Sequence, residues 1–139
     1  MLVSACLLGC RCRWDGRDKL DAALVGRIGS DAVAFCPEEA AGLGTPRPRA
    51  SFQGGDGEAV WSGKARVLDE HGRDVTRDFK RGAARALAAA LGAGLTSAVL
   101  KEGSPSCGTG WVEVEGVRVG GVGVTAALFA RAGLMTAPA

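Results

Sequence analysis

The sequence predicts a single α/β domain over residues 1–139, three-layered and Rossmann-like, with a mostly parallel sheet. Three observations carry that expectation. Short apolar runs at 2–8, 32–36 and 97–100 have the length and the Gly or Pro punctuation of buried strands. Segments with apolar residues at helical spacing alternate with them. No linker or internal repeat divides the chain, and 139 residues with 47% hydrophobic content suffice for a core that needs neither disulfides nor a structural metal.

Residues 2–8 read as the first strand, closed by Gly9 and emptying into Cys10-Arg11-Cys12-Arg13. Residues 19–28 carry Leu20, Leu24 and Ile28 at helical spacing, with Asp18 as the cap and Gly29 as the stop. Residues 32–36 form the next strand, broken by Pro37. The strand-helix-strand order is a βαβ unit, which requires parallel strands joined by a right-handed crossover. Residues 42–63 are dense in Gly and Pro and read as a long functional loop. A strand at 64–69 follows. Asp74-Val75-Thr76 then opens a helix over about 77–91, with Phe79, Ala83, Ala86, Leu87 and Ala90 on one face and Gly92 and Gly94 ending it. Residues 97–100 are a buried strand delivering the loop 101–108. Residues 112–119 alternate and turn at Gly116 as a hairpin, and a last helix spans about 124–132.

Seventeen basic against fifteen acidic residues leave a net charge of +2, too little to argue for nucleic acid or an anionic membrane. No apolar run approaches the roughly 18 residues of a membrane span. Five cysteines is an odd number, which disfavours a secreted disulfide scaffold. Leu2-Val3-Ser4-Ala5-Cys6 imitates a lipoprotein cleavage site but lacks the basic and apolar stretches that export needs before it. A cytoplasmic protein with reduced thiols is expected, without nucleic-acid or membrane partners.

Cys6, Cys36 and Cys107 each fall at, or just beyond, the carboxyl end of a predicted strand. In an open α/β sheet those ends share one edge, where ligand crevices form. Three converging thiolates make a soft, anionic set suited to an iron–sulfur cluster or zinc, and they leave a fourth coordination position open. Buried cysteines also serve as small hydrophobes. The local trio Cys6, Cys10 and Cys12 offers a rival ligand set, without the paired C-x-x-C knuckles of common zinc motifs.

Glu38 and Glu39 follow the middle cysteine and Glu102 precedes the last; a carboxylate beside a metal site can move protons, and of these Glu38 is nearest a cysteine across Pro37. Lys101 is a surface lysine or a substrate contact. Ser104 and Ser106 donate to a ligand or cap turns. Gly121-Val122-Gly123-Val124-Thr125-Ala126 opens a helix in a G-x-G-x-x-A pattern, which lacks the sequence that a dinucleotide site needs after it and reads first as a tight turn, second as an anion cradle. His71 lies in a polar turn and gives poor support to a hydrolase triad. Arg11, Arg13, Arg17, Arg47 and Arg49 gather in the two loops near the cysteines, countering an anionic site or simply solvated.

Ser4-Ala5-Cys6-Leu7-Leu8-Gly9, Cys12-Arg13-Trp14-Asp15-Gly16, Cys36-Pro37-Glu38, Thr45-Pro46-Arg47, Asp74-Val75-Thr76, the run from Lys101 to Gly108 and Gly121-Val122-Gly123-Val124-Thr125-Ala126 together resemble the 2-thiouracil desulfurase (TudS) family over nearly the whole chain. The resemblance implies a 4Fe-4S cluster held by Cys6, Cys36 and Cys107, with one iron not bound by protein and free to take the sulfur of a thiolated pyrimidine. It implies catalytic roles for Glu38 and Ser104 and a small thio-base as substrate. Trp14 stands where that family usually has Tyr or Phe, Ala41 where Gly is common, and Cys10 is an extra thiol; none of these removes an implied ligand. The alternative is a non-catalytic zinc or iron–sulfur binding module sealed by Cys10 or Cys12. A weaker third reading is nucleotide-phosphate binding at the Gly121 turn.

Overall fold

The computed structural model describes residues 1–139. In chain order the elements are β1 (Leu2–Ser4), a 3-10 turn (Ala5–Leu8), α1 (Ala22–Ile28), β2 (Val33–Phe35), α2 (Pro37–Ala40), β3 (Ala50–Gln53) and α3 (Gly57–Trp61). There follow β4 (Arg66–Asp69), α4 (Thr76–Gly92), β5 (Ser97–Leu100), β6 (Trp111–Val114), β7 (Val117–Gly120), α5 (Val124–Arg131) and β8 (Met135–Pro138). Strands β2-β1-β5-β8 form a wholly parallel sheet, and β4-β3-β6-β7 form a second sheet. In the second, β3–β4 and β6–β7 pair antiparallel while β3–β6 is parallel.

Side chains alternate across a strand, and the short β1 is apolar on both faces, so it must be covered on both. Leu2 packs with Ala98 and Leu100 of β5, Ala86 and Ala90 of α4, and Phe129 of α5. Val3 faces the other way, into a cluster with Leu7, Cys12 and Leu24 of α1. The parallel sheet is thus the middle of three layers, as the sequence predicts. Helices α4 and α5 also serve the second sheet: Phe79, Ala83 and Val124 share a cluster with Phe52, Val67 and Val112. None of the helices is long and apolar enough to cross a membrane.

Several boundaries differ from the expectation, each for a physical reason. The first apolar run is a strand only to Ser4; from Ala5 the chain winds into the 3-10 turn, closed by Gly9 at φ 93°. Helix α1 starts at Ala22, capped by Asp21, whose carboxylate accepts the Leu24 amide at 2.9 Å. Upstream, Lys19 and Asp21 donate their amides to the Cys6 and Leu7 carbonyls, which holds the chain extended and leaves Leu20 exposed. Residues 42–63 are not all loop: they contain β3 and α3. Only Phe52 of β3 is buried, too little to signal a strand, and α3 is a short helix capped by Asp56. The C-terminal strand β8, which the sequence reading lacks, extends the parallel sheet beside β5 with Met135 exposed.

Two glycines permit approaches that no other residue allows. A Cβ at Gly82 of α4 would lie 2.1 Å from the Pro37 carbonyl oxygen, and one at Gly123 would lie 2.4 Å from the Ser106 carbonyl. The helices therefore press directly on the segments that carry Cys36 and Cys107. Gly123→Ala is expected to cost at least about 2 kcal/mol in urea unfolding, because the obstructing atoms are backbone and cannot rotate away. An open glycine such as Gly92, with nothing within 4 Å of the added carbon, serves as the control in the same measurement.

Candidate active site

Because β2, β1 and β5 are adjacent and parallel, their carboxyl ends lie at one edge. Cys36 directly follows β2, Cys6 sits in the 3-10 turn after β1, and Cys107 lies in the loop after β5. All three line one cavity of about 200 Å³. The Cys107 loop is held from behind by the start of α5: the Val124 amide donates to the Pro105 carbonyl at 2.9 Å and the Thr125 amide to the Ser106 carbonyl at 2.8 Å. The Gly121 motif is therefore a turn whose helix amides are already used, which corrects the anion-cradle alternative. The Ser104 hydroxyl oxygen accepts the amides of Ser106 and Cys107, both at 3.1 Å, and fixes the same loop.

The cavity also receives Cys12. Its thiol meets those of Cys36 and Cys6, and the Cys36 thiol donates to the Cys12 carbonyl at 3.7 Å. Cys10 is exposed and lies outside the lining. Crowding raises the thiol pKa values. Burial drives Cys107 up to about 12, with the hydroxyls of Ser4 and Ser106 pulling the other way. Contact with Cys12, then burial, drives Cys36 far above the ordinary thiol range, while the Glu39 amide at its sulfur opposes the rise. Cys12 is raised as well: its bond with Cys36 opposes the shift, but Cys6, burial and Cys10 outweigh it. Without a cation these thiols stay protonated.

Glu38 projects from α2 into the cavity, and its carboxylate is gripped by Arg47, Nε and Nη2 both reaching Oε2 at 2.7 Å. Glu39 instead accepts the Thr45 hydroxyl, away from the cysteines. Glu102 is a brace: it accepts from the Thr109 amide and hydroxyl, the Gly110 amide and the Trp111 amide at 2.7–3.0 Å. Burial raises its pKa, but these four bonds prevail and hold the carboxyl at about 2. Lys101 lines the cavity and donates to the Glu102 carbonyl at 2.6 Å; burial lowers its pKa, against the attraction of Cys6. Of the arginines, Arg13, Arg47 and Arg49 reach the cavity, and Arg11 and Arg17 do not line it. His71 is in the polar turn that Asp69 organises, outside the lining.

Sequence reasoning noted Trp14 only as a departure within a family motif and missed Trp111; both stand in the cavity wall. The Trp111 ring lies under Gly103, where an added Cβ would come within 2.5 Å, and the Arg118 guanidinium stacks on it at 3.9 Å. Arg49 stands over Trp14 at 5.7 Å. An aromatic residue in a glycine-rich loop beside a cysteine was the available signal. Arg47 was visible as one of several loop arginines and as part of the Thr45-Pro46-Arg47 element, with no role attached.

A family profile described as 2-thiouracil desulfurase matches residues 1–138. The chain belongs to the 2-thiouracil desulfurase family. A solved structure of TudS, described as a 4Fe-4S-dependent thiouracil desulfidase, shares the fold with a TM-score of 0.84 at 44% identity, covering 99% of this chain and 89% of that one. The Bacillus subtilis (strain 168) protein YbbK, described as uncharacterised, is 40% identical over 137 residues, 96% of this chain and 91% of its own.

The cysteine-lined cavity fits a cluster. Its donors are thiols, the soft ligands such clusters take. No three His, Cys, Asp or Glu side chains close around a point for one bare ion. Four cysteines instead line, with other residues, a cavity of about 200 Å³, more than tenfold the roughly 10–15 Å³ that one water requires.

Glu102 gives the site a pH signature. Its folded pKa of about 2 lies below the ordinary 4.5, so its contribution is complete above pH 4.5 and is lost as pH falls towards 2. Thermal melts of Glu102→Gln and the parent, run from pH 6 to pH 3, are expected to show a gap that narrows with acidity.

Proposed function

We propose that the chain catalyses iron–sulfur-dependent, non-redox desulfuration of a thiolated pyrimidine such as 2-thiouracil, giving the oxo base and releasing sulfide. The observation that carries this reading is the meeting of Cys6, Cys36 and Cys107 at one cavity that also holds Glu38. In this reading the three cysteines would hold a 4Fe-4S cluster and would leave one iron without a protein ligand. The cluster, when bound, supplies a soft Lewis acid matched to a thiocarbonyl sulfur.

The protein residues do the rest. The indoles of Trp14 and Trp111, with Arg49 over the first and Arg118 stacked on the second, form part of the lining that a pyrimidine ring would meet. Glu38 takes a proton from the water that attacks the thiocarbonyl carbon and returns it as sulfide leaves; atoms balance as thio-base plus water to oxo base plus hydrogen sulfide, with no electron transferred. Glu38 is suited to that task because its Oε2 is already bonded to Arg47 and no hydrogen bond occupies its Oε1. Ser104 spends its oxygen on two amides, so it contributes its O–H as a donor to the substrate.

Anaerobic reconstitution with iron and sulfide, followed by an assay of sulfide release from 2-thiouracil, tests the proposal. Cys6→Ser, Cys36→Ser and Cys107→Ser are expected to lose iron and activity, and Cys10→Ser to keep both. Glu38→Gln is expected to keep the cluster while kcat falls by about 10²–10⁴-fold. Equal loss on Cys10→Ser moves the ligands to the N-terminal trio.

A second reading, a sealed four-cysteine zinc module, has the contact of Cys12 with Cys6 and Cys36 for it and the lack of any three side chains closing around a single ion against it. Metal analysis separates the two: iron with equal labile sulfide supports the enzyme, and one tight zinc without iron supports the module.

A further inference from the structure

Arg47 is deeply enclosed for a charged side chain. It is 6% exposed, and its partner Glu38 is 14% exposed. Every nitrogen of the guanidinium is engaged. Nε and Nη2 reach Glu38 Oε2 at 2.7 Å, Nη2 also donates to the Cys12 carbonyl at 2.8 Å, and Nη1 donates to the Gly44 carbonyl at 2.8 Å and the Thr45 hydroxyl at 3.0 Å. An arginine facing a carboxylate ordinarily spreads its fork across both oxygens. Here both contacts fall on one oxygen, and no protein group bonds to the other. Glu38 Oε1 is nevertheless not a buried orphan, since no side-chain oxygen is both sealed from solvent and unpartnered. It therefore opens onto the space that Glu38 lines.

A second cavity of about 230 Å³, bordered by Leu43, Asp69, Asp78 and Phe79, shares Glu38 and Arg47 with the cysteine-lined one. A glutamate released from the guanidinium has other staggered rotamers open to it, so the ion pair sets where its carboxylate stands.

We infer that Arg47 is a positioning residue for the desulfuration: it pins Glu38 by Oε2 and leaves Oε1 as the working oxygen. This inference rests on the assignment of Glu38 as the proton-transfer group. It gives the Thr45-Pro46-Arg47 loop a function distinct from holding the cluster. Lysine is a poor substitute, because a single ammonium cannot bond Glu38 and three acceptors on two other segments at once.

The test uses full-length protein reconstituted anaerobically, comparing Arg47→Gln, Arg47→Lys, Glu38→Asp, Glu38→Gln and the double variant Glu38→Asp/Arg47→Gln. Arg47→Gln is expected to retain iron and labile sulfide, to lose about 10²-fold in kcat as a misplaced group does, and to leave KM within about threefold. Arg47→Lys is expected to recover part of that loss. In the Glu38→Asp background, where the shorter side chain has already left the guanidinium, removing Arg47 is expected to cost less than about threefold. A crystal structure of Arg47→Gln is expected to show the Glu38 carboxylate displaced from its wild-type position or spread over several rotamers. Wild-type kcat in Arg47→Gln overturns the inference, as does an equal loss in both Glu38 backgrounds. Loss of iron in both Arg47 variants makes the residue a brace for the ligand loops and also overturns it. Wild-type kcat in Glu38→Gln, in contrast, removes the role of Glu38 itself.

Discussion

Parallel pairing of β2, β1 and β5 is the constraint on which the site depends. Neighbouring strands stand roughly 4.8 Å apart, so the ends of three successive parallel strands fall within about 10 Å of one another along an edge. The register of β1 against both neighbours fixes those ends at a common level, with Leu2 opposite Val33 on one side and Ala98 on the other. Cysteines placed just past each end then need only short turns to converge. An antiparallel neighbour would have sent one of them to the opposite edge.

The second requirement is rigidity in segments without regular structure. The Cys107 loop has its own braces: Ser104 beneath its amides, Glu102 across its far end and the first turn of α5 against its carbonyls. The Cys36 segment is pressed by α4 at Gly82, and Arg81 and Arg85 of that helix reach the Ala41 and Ala40 carbonyls at the end of α2. Arg47 ties the Cys12 segment to both Glu38 and its own loop. These contacts place the thiols before any metal arrives, so binding need not spend free energy on ordering the loops.

Enclosure also sets the chemistry of loading. Thiols this crowded and buried, as at Cys36 and Cys107, keep their protons at neutral pH. A metal centre that takes them must displace those protons, so cluster uptake is coupled to proton release. The Ser4 and Ser106 hydroxyls and the Glu39 amide, aimed at the sulfurs, offset part of that cost. They are also the kind of hydrogen bond that tunes an iron–sulfur centre.

The sequence by itself determined the parallel core, the long helix, the hairpin and the three cysteines at strand ends, because apolar run length, helical periodicity and Gly or Pro punctuation are local signals. Cys36-Pro37-Glu38 likewise declared its carboxylate by adjacency. The tertiary structure alone decided that β3, whose single buried Phe52 does not announce a strand, joins β4 and the hairpin into a second sheet. It also decided that Cys12 joins the cavity while Cys10 stays outside, that Ser104 spends its oxygen on the backbone, and that Arg47, alone among the loop arginines, meets Glu38. Partners such as Arg47 and the Cys12 carbonyl lie 35 residues apart and come together only when the packed sheets and helices bring their loops to one place. Local pattern records what a segment prefers, whereas a partner across space is chosen by the packing of the whole chain.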